Sequence, residues 1–329
     1  MARVLVTGAG GYIGSVLTRM LIAAGHEVVG IDRFFFGRQT LPTASEALQV
    51  IESDIRDLEA GHLKDTHAVI DLAALSNDPS GELDPQATWS INHQARVRVA
   101  QLAKQAGVPR YILPSSCSVY GVQDGMLDEE SPVNPLTTYA RANLKAERDV
   151  LELAGGSFCV VVLRQATVYG LSPRMRFDLA INGMVKGFFQ NGRIPILRDG
   201  TQWRPFIHVR DTSHALMTMV DAPRDIVHGK VFNVGSDEQN MQILPLARSV
   251  AEAMGITFEY EWYGDPDHRS YRVSFHKIHE ALGFQPKFSP SDGAIEVVNA
   301  LKDGTLDVDD PRTITVSWYK HLIDQGLRL

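Results

Sequence analysis

Three glycines, Gly8, Gly11 and Gly14, follow the apolar run Val4-Leu5-Val6 at GxxGxxG spacing, and Asp32 closes the next apolar run. Glycine is needed where a chain turns tightly, where main chain must touch a pyrophosphate, and where a helix lies close on a strand. A helix opening at Tyr12 would turn its free N–H groups and positive dipole end toward phosphate oxygens. The backbone of Gly8, Gly11, Tyr12, Ile13 and Gly14 is therefore the expected cradle of a dinucleotide. A carboxylate at Asp32 accepts hydrogen bonds from a ribose diol and repels a 2′-phosphate, which favours NAD over NADP; Arg33 beside it argues the other way. No HExxH or paired CxxC pattern occurs, so no metal site is expected.

These residues need a scaffold that holds them at strand ends. Short apolar runs at residues 3–6, 28–31, 68–72, 111–114 and 158–163 read as buried strands. Helical periodicity lies between them, clearest at 12–24, 87–106 and 136–153. Such alternation predicts an α/β fold, a doubly wound parallel (Rossmann) sheet, with a cleft beyond the carboxyl ends of the strands. After residue 170 the rhythm changes to loops at 170–177, 198–206 and 263–272 and shorter helices at 210–220 and 244–254. Residues 1–170 thus read as the dinucleotide-binding domain. Residues 171–329 read mainly as a smaller substrate-binding lobe, with some segments returning to the first domain.

Composition narrows the class further. The chain has 329 residues, 44% hydrophobic and 22% charged, enough for a large buried core. A net charge of -7 without a basic stripe argues against nucleic-acid binding. Two cysteines, Cys117 and Cys159, cannot organise a disulfide framework and are expected as reduced thiols of a cytoplasmic protein. No stretch approaches a membrane span, and the first apolar run is too short for a secretory leader.

The wider pattern resembles the extended short-chain dehydrogenase/reductase family, whose NAD-dependent members epimerise, dehydrate or decarboxylate nucleotide sugars. The segments that carry it, besides the glycine loop, are residues 53–57 (SDIRD), 71–74 (DLAA, where many relatives have HLAA), Ile91-Asn92, 115–121 (SSCSVYG), 139–143 (YARAN), 164–170 and 204–211 (RPFIHVRD). The resemblance implies cofactor contacts from Asp54, Ile55, Leu72, Ala73, Ala74, Asn92 and Ser115. It maps the family's catalytic hydroxyl to Ser116 and its catalytic tyrosine to Tyr139, which also meets the cofactor. A phenol has a reference pKa of about 10, so a nearby cation must stabilise phenolate before it can take a hydroxyl proton at neutral pH.

One departure bears directly on that chemistry. The family pattern is Tyr-x-x-x-Lys, and this chain has Asn143 at the lysine position. Asparagine supplies no charge, and Lys145 and Arg141 fall on other faces of the helix. A slow enzyme, a cation folded over the site from the second lobe, and a protein without the oxidation step remain the alternatives. A second departure places Cys117 and Ser118 where sugar dehydratases carry an Asp-Glu pair. Cys117 is a candidate thiolate base or a packing residue, and the missing pair favours epimerisation over elimination.

For the substrate, the resemblance and the chemistry of diphosphate recognition point to Arg204, Arg269, Arg272 and Asn182. Ser76, Asn77 and Asp78 follow the fourth strand toward the expected sugar pocket, and Arg174 and Arg176 are further cations nearby. The expected activity is an NAD-dependent epimerase working through a transient keto-sugar. Alternatives are a dehydratase, decarboxylase or dehydrogenase on the same scaffold, or a degenerate NAD-binding protein. Relatives pair two long helices per subunit, so the resemblance also implies a homodimer.

Overall fold

Apolar runs of the first half become strands with little or no exposed surface, as a sheet covered on both faces requires. The structure, a computed structural model, describes residues 1–197, 199–264 and 269–329, with side chains throughout except at residues 195 and 197. Seven strands form one sheet in the spatial order Lys230–Val234, Cys159–Gln165, Arg110–Ser116, Ala68–Asp71, Arg3–Thr7, Glu27–Asp32, Leu48–Glu52. All neighbours are parallel. The chain leaves Arg3–Thr7 first to one side and later to the other, so the crevice of a doubly wound sheet opens beyond Thr7 and Asp71. Those two residues are joined there by a hydrogen bond from the Thr7 hydroxyl to the Asp71 carboxylate.

The helix expected over 87–106 is interrupted. Pro85–Trp89 is α-helical, Ser90–Ala95 is a widened π turn, and Arg96–Gln105 resumes the α-helix. Inside the wide turn Asn92 clamps the backbone of Leu75, its Oδ1 accepting from the Leu75 N–H at 2.8 Å and its Nδ2 donating to the carbonyl at 3.0 Å. The helix carrying Tyr139 runs Thr138–Leu151, later than expected, because Thr137 is its N-cap and accepts from the Ala140 N–H at 3.1 Å.

The second half returns to the sheet through Lys230–Val234, and its helix Val209–Asp221 packs on Tyr12–Ala23. Elsewhere it builds its own core, with Ala180–Asn191, Ile243–Met254 and Pro290–Lys302 burying Ile181, Val185, Leu246, Val250 and Val297. Two expected loops are corrected in part. Trp203–His208 is a strand, parallel to Thr167–Tyr169 and antiparallel to Asn240–Gln242. Ser270–Val273 is a strand beside Val122–Leu127. Ser270–Val273 buries Tyr271 and Val273 on alternate positions, and Trp203–His208 buries Phe206 and Ile207 in succession, runs too short to read against the polar residues around them. Arg198 and residues 265–268, His268 among them, lie outside the described residues.

Candidate active site

The glycine loop turns at Gly8, which has φ +64° and whose missing Cβ would lie 2.8 Å from the Ala73 nitrogen. A Cβ on Gly14 would lie 2.1 Å from the Gly8 carbonyl oxygen, so helix and loop close only without one. The helix Tyr12–Ala23 then begins with no side chain capping its first N–H groups and no acid in its first turn. That leaves unsatisfied donors and a positive dipole end facing the cleft, which fit a pyrophosphate. Asp32 sits at the next strand end, held by the N–H groups of Gly10 (2.9 Å) and Phe34 (2.7 Å). Arg33 is drawn off by Asp54 at 3.1 Å and lies 4.3 Å over the Phe35 ring. With the cation paired and the carboxylate at the cleft, the residues present fit NAD.

A cavity of about 430 Å³ runs from this loop across the sheet's carboxyl end. It brings together Gly8, Gly11, Tyr12, Ile13, Gly14, Asp32, Arg33, Asp54, Ile55, Leu72, Ala73, Ala74, Ser115, Ser116 and Tyr139, with Ser76, Asn77, Asp78, Arg204 and Arg269 at the far end. Ser116 and Tyr139 line this cavity together, and the Ser116 hydroxyl lies near enough to the phenol to favour its ionisation. Gly81 makes room for that phenol's helix, since a Cβ there would lie 2.9 Å from the Tyr139 Cβ. Burial above all, and then Asp78, push the Tyr139 pKa up, while Arg96, Ser116 and Arg176 work in the other direction.

The far end is tied across the cleft by polar contacts. Arg176 donates to Ser76 at 3.2 Å and to both oxygens of Asp178 at 3.1 and 2.8 Å. Asn77 donates to Asp178 at 2.9 Å, and Asp78 accepts from Thr137 at 2.5 Å and pairs with Arg269. Arg204 donates to the carbonyls of Trp203 and Arg269 and lies 5.3 Å over the Tyr271 ring.

Five of the expected site residues do not line the cavity with the others. Asn92 is fully buried and bonds only the Leu75 backbone among the described residues, so it shapes the cleft wall from behind. Asn182, also fully buried, accepts from the Gly170 N–H and donates to the Tyr12 hydroxyl and the Arg176 carbonyl, organising the 170–177 loop. Arg272 lies 5.2 Å over the Trp203 ring, away from the cleft, because strand alternation sends Tyr271 inward instead. Asn143 is buried beneath Tyr139 and does not line the cleft. Cys117 is 1% exposed in the core, its thiol donating to the Arg164 carbonyl at 3.4 Å, and burial pushes its pKa well up. A thiolate base is thereby disfavoured. Cys117→Ala is expected to leave turnover within about twofold and to cost about 1–2 kcal/mol of stability as a small core cavity, measured by urea unfolding. A turnover loss of tenfold or more in a folded variant would return the thiol to the chemistry.

Sequence reasoning missed Tyr271, Asp178 and Tyr319, which line the cleft together with Ser118. Tyr319 arrives on the helix Thr315–Asp324 from the far end of the chain, with Trp318 donating to the Phe35 carbonyl at 2.7 Å. No local pattern announces such a contact. Arg174, named only as a nearby cation, lies 3.6 Å over Phe36 and bonds Thr315 at 2.9 Å in the same wall.

A parallel doubly wound sheet, a glycine cradle with Asp32, and a Ser116–Tyr139 pair over the crevice define an NAD-dependent enzyme of the extended short-chain dehydrogenase/reductase type. The chain belongs to the NAD dependent epimerase/dehydratase family, whose model matches residues 4–235. It is 30% identical over 318 residues to a UDP-glucose 4-epimerase of Mycolicibacterium smegmatis, covering 92% of this chain and 99% of that one. The structure of MoeE5 in complex with UDP-glucuronic acid and NAD superposes with TM-score 0.82 at 30% identity, covering 92% and 99% of the two chains. A UDP-glucuronic acid 4-epimerase from Bacillus cereus, in complex with UDP-glucuronic acid and NAD, superposes with TM-score 0.83 at 26% identity, covering 92% and 99%.

Proposed function

We propose that this protein is an NAD-dependent epimerase acting on a nucleotide-activated sugar through a transient keto-sugar. The observation that carries the reading is that Ser116 and Tyr139 line the same cavity as the glycine cradle. The glycine loop and Asp32 would hold NAD, which would supply the hydride-accepting and hydride-donating chemistry of the reaction. Tyr139 takes and returns the hydroxyl proton, and Ser116 holds that hydroxyl by a hydrogen bond. Arg204 and Arg269, at the end of the cavity away from the glycine loop, are assigned to the diphosphate, and Ser76, Asn77 and Asp78 to the sugar.

Retention of the sugar's hydroxyl, and so epimerisation over dehydration, is favoured by the two residues after Ser116. Cys117 points into the core, and Ser118, which does line the cleft, is a poor proton donor to a departing hydroxide. We take residues 1–170 as the dinucleotide-binding part and 171–329 as the substrate lobe, with Val209–Asp221 and Lys230–Val234 returning to the sheet. A cytoplasmic homodimer paired through the helices around residues 87–106 and 136–153 belongs to the same reading.

The names of the relatives supply the probes. Incubation with NAD and either UDP-glucose or UDP-glucuronic acid, followed by proton NMR of the sugar, is expected to show a second epimer of unchanged mass and no accumulating NADH. NADH formed in step with substrate loss would make the protein a dehydrogenase. Loss of water or of carbon dioxide from the product would make it a dehydratase or a decarboxylase.

A further inference from the structure

We propose that Arg96 supplies the positive charge that the tyrosine helix lacks at Asn143, and that Asn143 serves to hold this guanidinium near the Ser116–Tyr139 pair. The proposal rests on Tyr139 being the proton-transferring group. It makes Arg96 a positioning and electrostatic residue that acts through the phenol, since Arg96 itself does not line the cleft.

The geometry joins the two departures in one contact. Asn143 lies one turn beyond Tyr139, and its Nδ2 donates to the Tyr139 carbonyl at 3.0 Å. Its Oδ1 accepts from an Arg96 guanidinium nitrogen at 2.8 Å. The other terminal nitrogen of Arg96 donates to the Asp71 carbonyl at 2.8 Å and to the Pro114 carbonyl. Pro114 is two residues before Ser116 on the same strand and Asp71 ends the neighbouring one, so the guanidinium lies between two strands near the ends that carry the site. It arrives there from the first residue after the π turn Ser90–Ala95. Wide turns of this kind are frequent at functional sites, because they re-aim the side chains that follow. The cation thus comes from the first half of the chain, not from the second lobe.

Arg96 is 2% exposed, and burying a charge at that depth is expensive unless something compensates it. Its terminal nitrogens meet carbonyl and amide oxygens, it has no ion pair within 4.0 Å among the described residues, and its Nε has no hydrogen-bond partner among them. Asp71 is the acid that faces it. The Asp71 carboxylate is taken by the hydroxyls of Thr7 and Tyr111; burial pushes its pKa up and the charge of Arg96 opposes that shift, but no ion pair closes between them. A buried cation short of a counterion favours an anion forming beside it, and Tyr139 is the acid whose ionisation the site needs. The other charges facing the phenol do not substitute for Arg96. Arg176 is held by both oxygens of Asp178, Asp78 opposes ionisation, and Glu82 is occupied by the N–H and hydroxyl of Thr138.

The test titrates the phenol directly, in the NAD-loaded protein without sugar, by tyrosinate ultraviolet absorbance with the Tyr139→Phe spectrum subtracted. In Arg96→Met the phenol is expected to titrate about one pH unit or more above its position in the unaltered protein. The acid limb of the kcat–pH profile should move by the same amount, with KM little changed. The double variant Arg96→Met with Asn143→Lys, which returns a cation to the tyrosine helix, should bring both readings back. Arg96→Gln keeps two N–H donors for the same carbonyls and gives the neutral comparison should Arg96→Met not fold. An unchanged Tyr139 titration in either folded neutral variant would overturn the proposal and leave Arg96 as a tie between strands and helix. Full turnover in Tyr139→Phe would instead remove the phenol from the reaction, a failure of the proposed function that the Arg96 titration neither causes nor conceals.

Discussion

Replacing Tyr139 with phenylalanine is expected to lower kcat by about 10²–10⁴-fold, the range that a positioned proton-transfer group contributes. The substitution removes a single oxygen and leaves the close approach of Gly81 to the Tyr139 Cβ and backbone unchanged. NAD affinity, measured by calorimetry, should therefore change by less than about threefold, because the glycine loop and Asp32 are untouched. KM should move little for the same reason, since the lost interaction acts on the proton in flight. An intact kcat in the folded variant would sink the assignment of Tyr139. A fall in NAD affinity as large as the fall in kcat would mean that the phenol holds the cofactor more than it moves a proton.

The largest stability effect is expected at Glu147, outside the cleft. Its carboxylate receives Arg164 at 2.8 Å and the hydroxyl of Ser115, and both residues of the ion pair are almost wholly buried. Arg164 continues the network to the Tyr120 hydroxyl at 3.1 Å, which in turn donates to Asn233 at 2.8 Å on the edge strand Lys230–Val234. Glu147→Ala strands a guanidinium in the core and should cost about 3–5 kcal/mol, read as a lower urea midpoint. Removing both charges, as Glu147→Leu with Arg164→Met, should recover much of that loss, because the penalty lies in the unpaired charge and not in the missing attraction. Equal losses in the single and double variants would refute this account. Ser115 bears on the site through the same contact, since its hydroxyl is spent on Glu147 and only the remainder of the residue faces the cleft.

Much of this protein is written in local pattern. Apolar runs beside helical periodicity are enough to call for a parallel sheet, because a strand buried on both faces has no other source of cover. Gly8, Gly14 and Asp32 were legible for a related reason: close backbone approach and ribose recognition each demand one residue type at one place. Ser116 and Tyr139 became legible through the family's ordered segments, and the cavity does bring them together.

What only the tertiary structure decided is where side chains of correct type end up pointing. Arg272 and Tyr271 differ by one position on a strand, and the pleat sends one to Trp203 and the other to the cleft. Cys117, beside Ser116 in sequence, turns into the core. Arg96 and Asn143 stand far apart in the chain; the family pattern marks Asn143, but Arg96 reads as an ordinary helix residue. Their meeting at 2.8 Å depends on a π turn and on the packing of two helices against a strand end, which are properties of the assembled core. Local sequence sets backbone preference and burial; the encounter of distant charges is set by how the folded elements pack.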